Sequence, residues 1–151
     1  MTKFCIRNLS TENCLKFWRL AIRINNTKMI DKCTEFIDRN ARQLFNLQDA
    51  TFISPLSLEE TFQLFQRTTL TLSEMEKIQY LNRLKIQNPR LDLNCLKNTI
   101  SYDHLNLNEM IALGQTQLYT HEEFMELLRK WNEHNSKFNY VFKKLLFYKC
   151  F

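Results

Sequence analysis

Apolar residues recur every three to four positions along most of the chain, the spacing that lines one face of an α-helix. The clearest stretch is Met29, Ile30, Cys33, Phe36, Ile37, Ala41, Leu44 and Phe45, with Asp31, Lys32, Glu35, Asp38 and Arg39 expected to face away from it. Thr27 stands where that helix needs a cap. Leu58, Phe62 and Phe65 predict a further helix, and Met75, Ile78, Leu81 and Leu84 the next, which Asn88-Pro89 stops. Leu93, Leu96 and Ile100 predict another, and Phe124, Leu127, Leu128 and Trp131 a later one. Ser136 is placed to cap a last helix carrying Val141, Phe142, Leu145 and Leu146. Residues 49–53 read as one short turn ahead of Pro55, because the residue before proline is pushed out of the helical region. The pattern amounts to about nine segments, an all-α fold of short helices packed as successive antiparallel hairpins.

Several helix starts carry a mechanism as well as a pattern. Ser57 and Glu60, Ser73 and Glu76, and Thr120 and Glu123 each pair a hydroxyl with a glutamate three residues on. That spacing lets each side chain satisfy the other residue's backbone N–H. Asn106 with Glu109 is a weaker form of the same arrangement.

The helix expected to begin near Glu12 is different, because it is not one-sided. At 100° per residue, Lys16, Arg19 and Arg23 fall on one narrow strip. Cys14, Leu15, Phe17, Trp18, Leu20, Ala21, Ile22 and Ile24 cover roughly 220°, well beyond the ~100° that rests on one core. Such a helix needs two apolar surroundings. One is the helix over residues 29–45, reached across a turn at Asn25-Asn26. The other comes either from later helices of this chain or from another protein. In the second case Phe17, Leu20 and Ile24, together with Trp18, are the candidate partner-binding residues.

Composition narrows the picture. With 151 residues, 44% of them hydrophobic, the chain is long enough for one contiguous core. A single glycine and two prolines leave too little turn chemistry for a sandwich, a barrel or a glycine-rich nucleotide loop. Cysteines 5, 14, 33, 95 and 150 form no close pair and read as reduced packing residues. No leader pattern or membrane-length apolar run is visible, so a soluble cytoplasmic or nuclear protein is expected. The net charge of +5 comes from basic residues interspersed with 16 acidic ones, which points to a solvated surface rather than a nucleic-acid site.

Residues 13–21, Asn-Cys-Leu-Lys-Phe-Trp-Arg-Leu-Ala, resemble the opening of the BACK domain that follows the BTB domain in BTB-BACK proteins. Residues 33–40 are similar to that family's second helix, ending in Phe-Ile and Asn. Residues 52–65 and 69–74 resemble its Phe, Leu-Ser, Leu and Leu, Val, Ser-Glu patterns, and residues 98–110 and 117–123 its later segments. The resemblance covers residues 9–130, leaving 131–151 as a basic, aromatic helix or tail on the same domain. It implies a helical spacer of cullin-RING ubiquitin ligase substrate adaptors, whose opening helix pair packs beside a BTB domain and helps grip the cullin scaffold. Neither a BTB core nor a substrate-reading domain is expected within these residues. The implied partners are a BTB domain, a cullin scaffold or a second copy docking through the opening helix.

No catalytic constellation stands out. His104, His121 and His134 share no metal spacing with cysteine pairs, and His121 sits beside Glu122 and Glu123 in a first helical turn, as a solvated residue would. The cysteines lack a predicted basic cradle, except Cys150 beside Lys149. No enzyme, metal or cofactor is therefore expected. The alternative to a scaffold is a peripheral membrane protein using the aromatic and basic residues 138–151, a composition suited to anionic lipid surfaces.

Overall fold

The computed structural model describes residues 2–45 and 56–135. The turn expected over 49–53, the helix capped by Ser136, the tail 138–151 and Cys150 lie outside the described residues. Among the described residues every regular element is helical: α1 (Thr2–Arg7), α2 (Cys14–Arg23), α3 (Thr27–Arg39), α4 (Ala41–Leu44), α5 (Leu58–Phe65), α6 (Glu74–Gln87), α7 (Asn94–Lys97), a 3-10 turn (Tyr102–His104), α8 (Leu107–Leu113) and α9 (His121–His134). The protein is all-α.

All four start signals are formed. Ser57, Ser73, Asn106 and Thr120 each accept a hydrogen bond from the backbone N–H of the glutamate three residues later, and each glutamate reaches back to the cap's own N–H. These contacts lie within four residues, so nothing distant is needed to make them.

Elsewhere the structure departs from the pattern. A short helix, α1, precedes the one expected first; its six residues are too few to show a period. Asn26, not Thr27, caps α3: its side chain accepts from the Met29 N–H, and Thr27 is the first helical residue. The helix expected around Leu93, Leu96 and Ile100 is a single turn, with Leu93 and Ile100 outside it. Helix α9 runs through position 131, so a boundary between 130 and 131 would cut a continuous helix whose Trp131 is buried, its indole N–H donating to the Leu105 carbonyl at 3.0 Å.

Helices α2 and α3 form the tightest joint. The Asn25 N–H donates to the Ile22 carbonyl and the Asn26 N–H to the Ala21 carbonyl, the two bonds that close a helix when the next residue turns left-handed. Asn25 supplies that conformation at φ 51°, the one positive φ among the described non-glycine residues. Asn26 thus ends α2 and caps α3, leaving no free linker between them.

The core is one contiguous cluster running from Cys5 to Trp131. Phe45, Phe65 and Tyr80 join α5 and α6 to the end of α4, with ring centroids 4.9–5.9 Å apart. The single glycine, Gly114, has an ordinary φ of −65°; it is there for space, because a β-carbon would stand 2.6 Å from the Phe124 ring. Asp38, expected to face solvent, is buried: Arg67 donates to both of its carboxylate oxygens at 3.0 and 2.8 Å, and the Thr69 hydroxyl donates at 2.6 Å. A guanidinium arriving from 29 residues away neutralises the carboxylate, which no local pattern reveals.

The left-handed turn gives a direct test. Asn25→Val is expected to lower unfolding free energy by about 1–2 kcal/mol in urea titrations, whereas Asn25→Gly stays within about 0.5 kcal/mol of wild type.

Candidate interaction surface on the second helix

The chain divides the wide apolar arc of α2 in two. Cys14, Leu15, Trp18 and Ala21 are core residues, none more than 8% exposed, and they span about 120° of the helix circumference. Phe17 and Leu20 occupy the adjoining arc and are half-buried, while Ile24 at 47% and Ile22 at 42% are exposed. Trp18, grouped with the partner-binding candidates on sequence, is 3% exposed: α2 turns its indole into the core packed on α3, and it forms no part of an accessible face. Phe17, Leu20 and Ile24 do lie along one strip, at the edge of the buried sector.

The rotation of α2 is fixed from its polar side. Arg19 donates from Nε to one oxygen of Glu60 at 2.6 Å and from Nη2 to the other at 2.8 Å. Glu60 is the same glutamate whose carboxylate accepts from the Ser57 N–H at 2.9 Å to cap α5. One carboxylate therefore starts α5 and holds α2 against it. The side-chain hydrogen bond from Arg19 leads the interactions that keep the Glu60 carboxyl below its ordinary value, against an upward push from burial. The same bond drives the Arg19 guanidinium upward, keeping it charged.

Two other capping glutamates are used the same way. Arg42, just past α3, donates to Glu76 at 2.7 Å. Burial pushes Glu76 up, but hydrogen bonds from Ser73 and Arg42 outweigh it and leave the group lowered. Lys97 stands 3.7 Å from Glu123, and the Thr120 backbone N–H, more than the lysine, lowers that carboxyl. The glutamates were legible in the sequence, but their cationic partners were not, since they arrive from 26 to 41 residues away.

Charge is unevenly distributed along the chain. Residues 1–45 hold nine Lys and Arg against four Asp and Glu, while residues 46–151 hold twelve of each, so the whole net charge of +5 belongs to the first 45 residues. Within α2–α3, Glu35 is bound to Lys32 and Arg39, and Asp38 to Arg67. Lys16, Arg23 and Lys28 are exposed and form no ion pair among the described residues. Lys16 and Arg23 flank Leu20 on the α2 surface, four residues before it and three after.

Other concave features are less suited to a ligand. An open groove of about 990 Å³ between α5, α6 and residues 95–104 is lined by Phe62, Phe65, Leu72, Lys77, Cys95 and His104. Its charged groups hold the fold together: Lys77 binds Glu74 at 2.9 Å, and Glu74 accepts from the Ser101 N–H at 2.8 Å. His104, His121 and His134 are exposed. Among the described residues no group of three or more His, Cys, Asp or Glu side chains is placed to hold a metal. Cys5, Cys14 and Cys33 are buried thiols, and burial with the neighbouring sulfurs pushes Cys33 up to about 11, while Cys95 is exposed. No described helix is long and apolar enough to cross a membrane. Comparison with known protein families, characterised proteins and solved structures finds no match.

The shared carboxylate gives a pH-dependent test. A carboxylate lowered in the folded state contributes stability above its ordinary value of 4.5 and loses it as pH falls through the lowered native value. Arg19→Met is expected to cost about 1 kcal/mol at pH 7, a charge-assisted pair discounted because the arginine is 42% exposed. Its deficit against wild type in denaturant titrations should close as pH drops below 4.5, whereas a deficit independent of pH would assign the loss to packing alone.

Proposed function

We propose that this chain is a non-catalytic, helical protein-interaction module of the BACK type, acting as a scaffold element that packs α2 against a partner such as a BTB domain or a cullin scaffold. The observation that carries this reading is the division of α2. A helix whose buried sector is already satisfied by its own chain still presents half-buried Leu20 and exposed Ile24 beyond it. Isolated exposed aliphatic residues are common, but Ile24 adjoins Leu20 and half-buried Phe17 on one strip of the helix.

The agreement of residues 13–21 and 33–40 with the opening of the BACK family supports placing the contact here, because the family uses its opening helix pair for packing beside BTB. The tight α2–α3 joint also suits a contact surface, since a rigid pair loses little conformational freedom on binding.

Affinity purification of wild type and of Ile24→Asp, an exposed position whose change spares the core, tests the reading. Wild type should retain BTB and cullin proteins, and Ile24→Asp should retain at least about tenfold less, with unchanged helicity by circular dichroism. Equal recovery by both proteins, or none by either, contradicts the proposal.

A further inference from the structure

Resting on the reading of α2 as a docking face, we infer that the face selects an acidic, amphipathic segment of a partner protein, and disfavours both a second copy of this chain and a basic partner. The basic excess is confined to the first 45 residues, which include α2 and its exposed apolar end, while the remaining 106 residues are balanced. Of the four acids of that region, the fold uses two internally: Glu35 serves Lys32 and Arg39, and Asp38 serves Arg67, while Glu12 and Asp31 are exposed and form no ion pair among the described residues. Arg19 is committed to Glu60. What is left facing outward beside Leu20 and Ile24 is Lys16 and Arg23, with Lys28 across the two-residue turn.

Geometry assigns these groups complementary tasks. Leu20 and Ile24 follow one another at a helical repeat of four, and Lys16 and Arg23 border them on the side away from the core. An incoming amphipathic segment that covers Leu20 and Ile24 with its own apolar residues brings its flanks over those two cations. Carboxylates on the flanks gain charge-assisted hydrogen bonds, and like charges there are penalised. Lys28 lies in the first turn of α3, which has no acidic residue, so the helix dipole adds to the positive field at the same corner.

The same charges argue against self-association. A two-fold contact through α2 sets one surface against an identical one, bringing the Lys16 and Arg23 strip of one copy onto the same strip of the other. An anionic lipid surface would satisfy the charges, but the apolar residues beside them are few, and Phe17, the one aromatic residue on the strip, is half-buried rather than free to insert.

The test uses the full chain and two synthetic helical peptides of about 20 residues with the same leucine face, one with glutamate and one with lysine on the polar face. Fluorescence anisotropy should show the glutamate peptide binding at least about tenfold more tightly than the lysine peptide, with the preference shrinking as salt rises. The double change Lys16→Glu and Arg23→Glu, both at exposed positions, should reverse the preference. Ile24→Ser, which removes the apolar contact without adding charge, should weaken both peptides alike. If the two peptides bind equally and Ile24→Ser weakens both, the docking face stands and the charge inference falls. If neither peptide binds, or if vesicles of phosphatidylserine and phosphatidylcholine bind in place of the glutamate peptide and lose binding on the same double change, the inference is overturned.

Discussion

A single carboxylate, that of Glu60, sets how the first part of the fold meets the next. It closes the first turn of α5 by accepting from the Ser57 N–H, and it receives the Arg19 guanidinium through two parallel hydrogen bonds. The cap holds the acceptor in place before the arginine arrives, so the pair is formed at lower entropic cost than two free surface side chains would incur. A fixed Arg19 fixes the rotation of α2. The same rotation buries Cys14, Leu15, Trp18 and Ala21 and leaves half-buried Leu20 and exposed Ile24 at the edge of the core. Arg42 on Glu76 repeats the arrangement at the start of α6, and Lys97 on Glu123 repeats it in weaker form at α9. Helix initiation and helix docking are thereby coupled through the same three side chains.

What could be read in the sequence follows from how far apart the interacting residues are. Capping boxes at Ser57, Ser73, Asn106 and Thr120 are complete within four residues and form as the spacing predicts. The one-sided stripe from Met29 to Phe45 was legible because a single core takes all of it, apart from Asp38, whose burial depends on Arg67. Thr27 and Asn26 are both good caps, and only the closing bonds of α2 decide between them, since they place Asn26 where α3 must begin. Helix α1 and the single turn α7 are too short to carry a period.

On the surface of α2, angular counting identified an arc too wide for one core but could not say which part the chain itself would cover. Trp18, the largest residue in the arc, went to the core, and the smaller aliphatic residues at the helix end remained outside. The sequence likewise contains the charge imbalance of residues 1–45, but its meaning depends on which acids are consumed internally, and that is a property of the fold. An apolar edge, unpaired cations and a closely joined helix pair are the features on which the proposed docking of a partner rests.

The account depends on the end of α2 being open to solvent in the free protein, and isoleucine methyl NMR with a soluble paramagnetic cosolute measures that directly. The δ1 methyls of Ile22 and Ile24 should broaden comparably to that of Ile86, which is 54% exposed, while those of Ile37 and Ile78, both fully buried, stay sharp. Protection of Ile24 equal to that of Ile37 and Ile78 would show that the chain covers this face itself, and would contradict the proposed docking of a partner there.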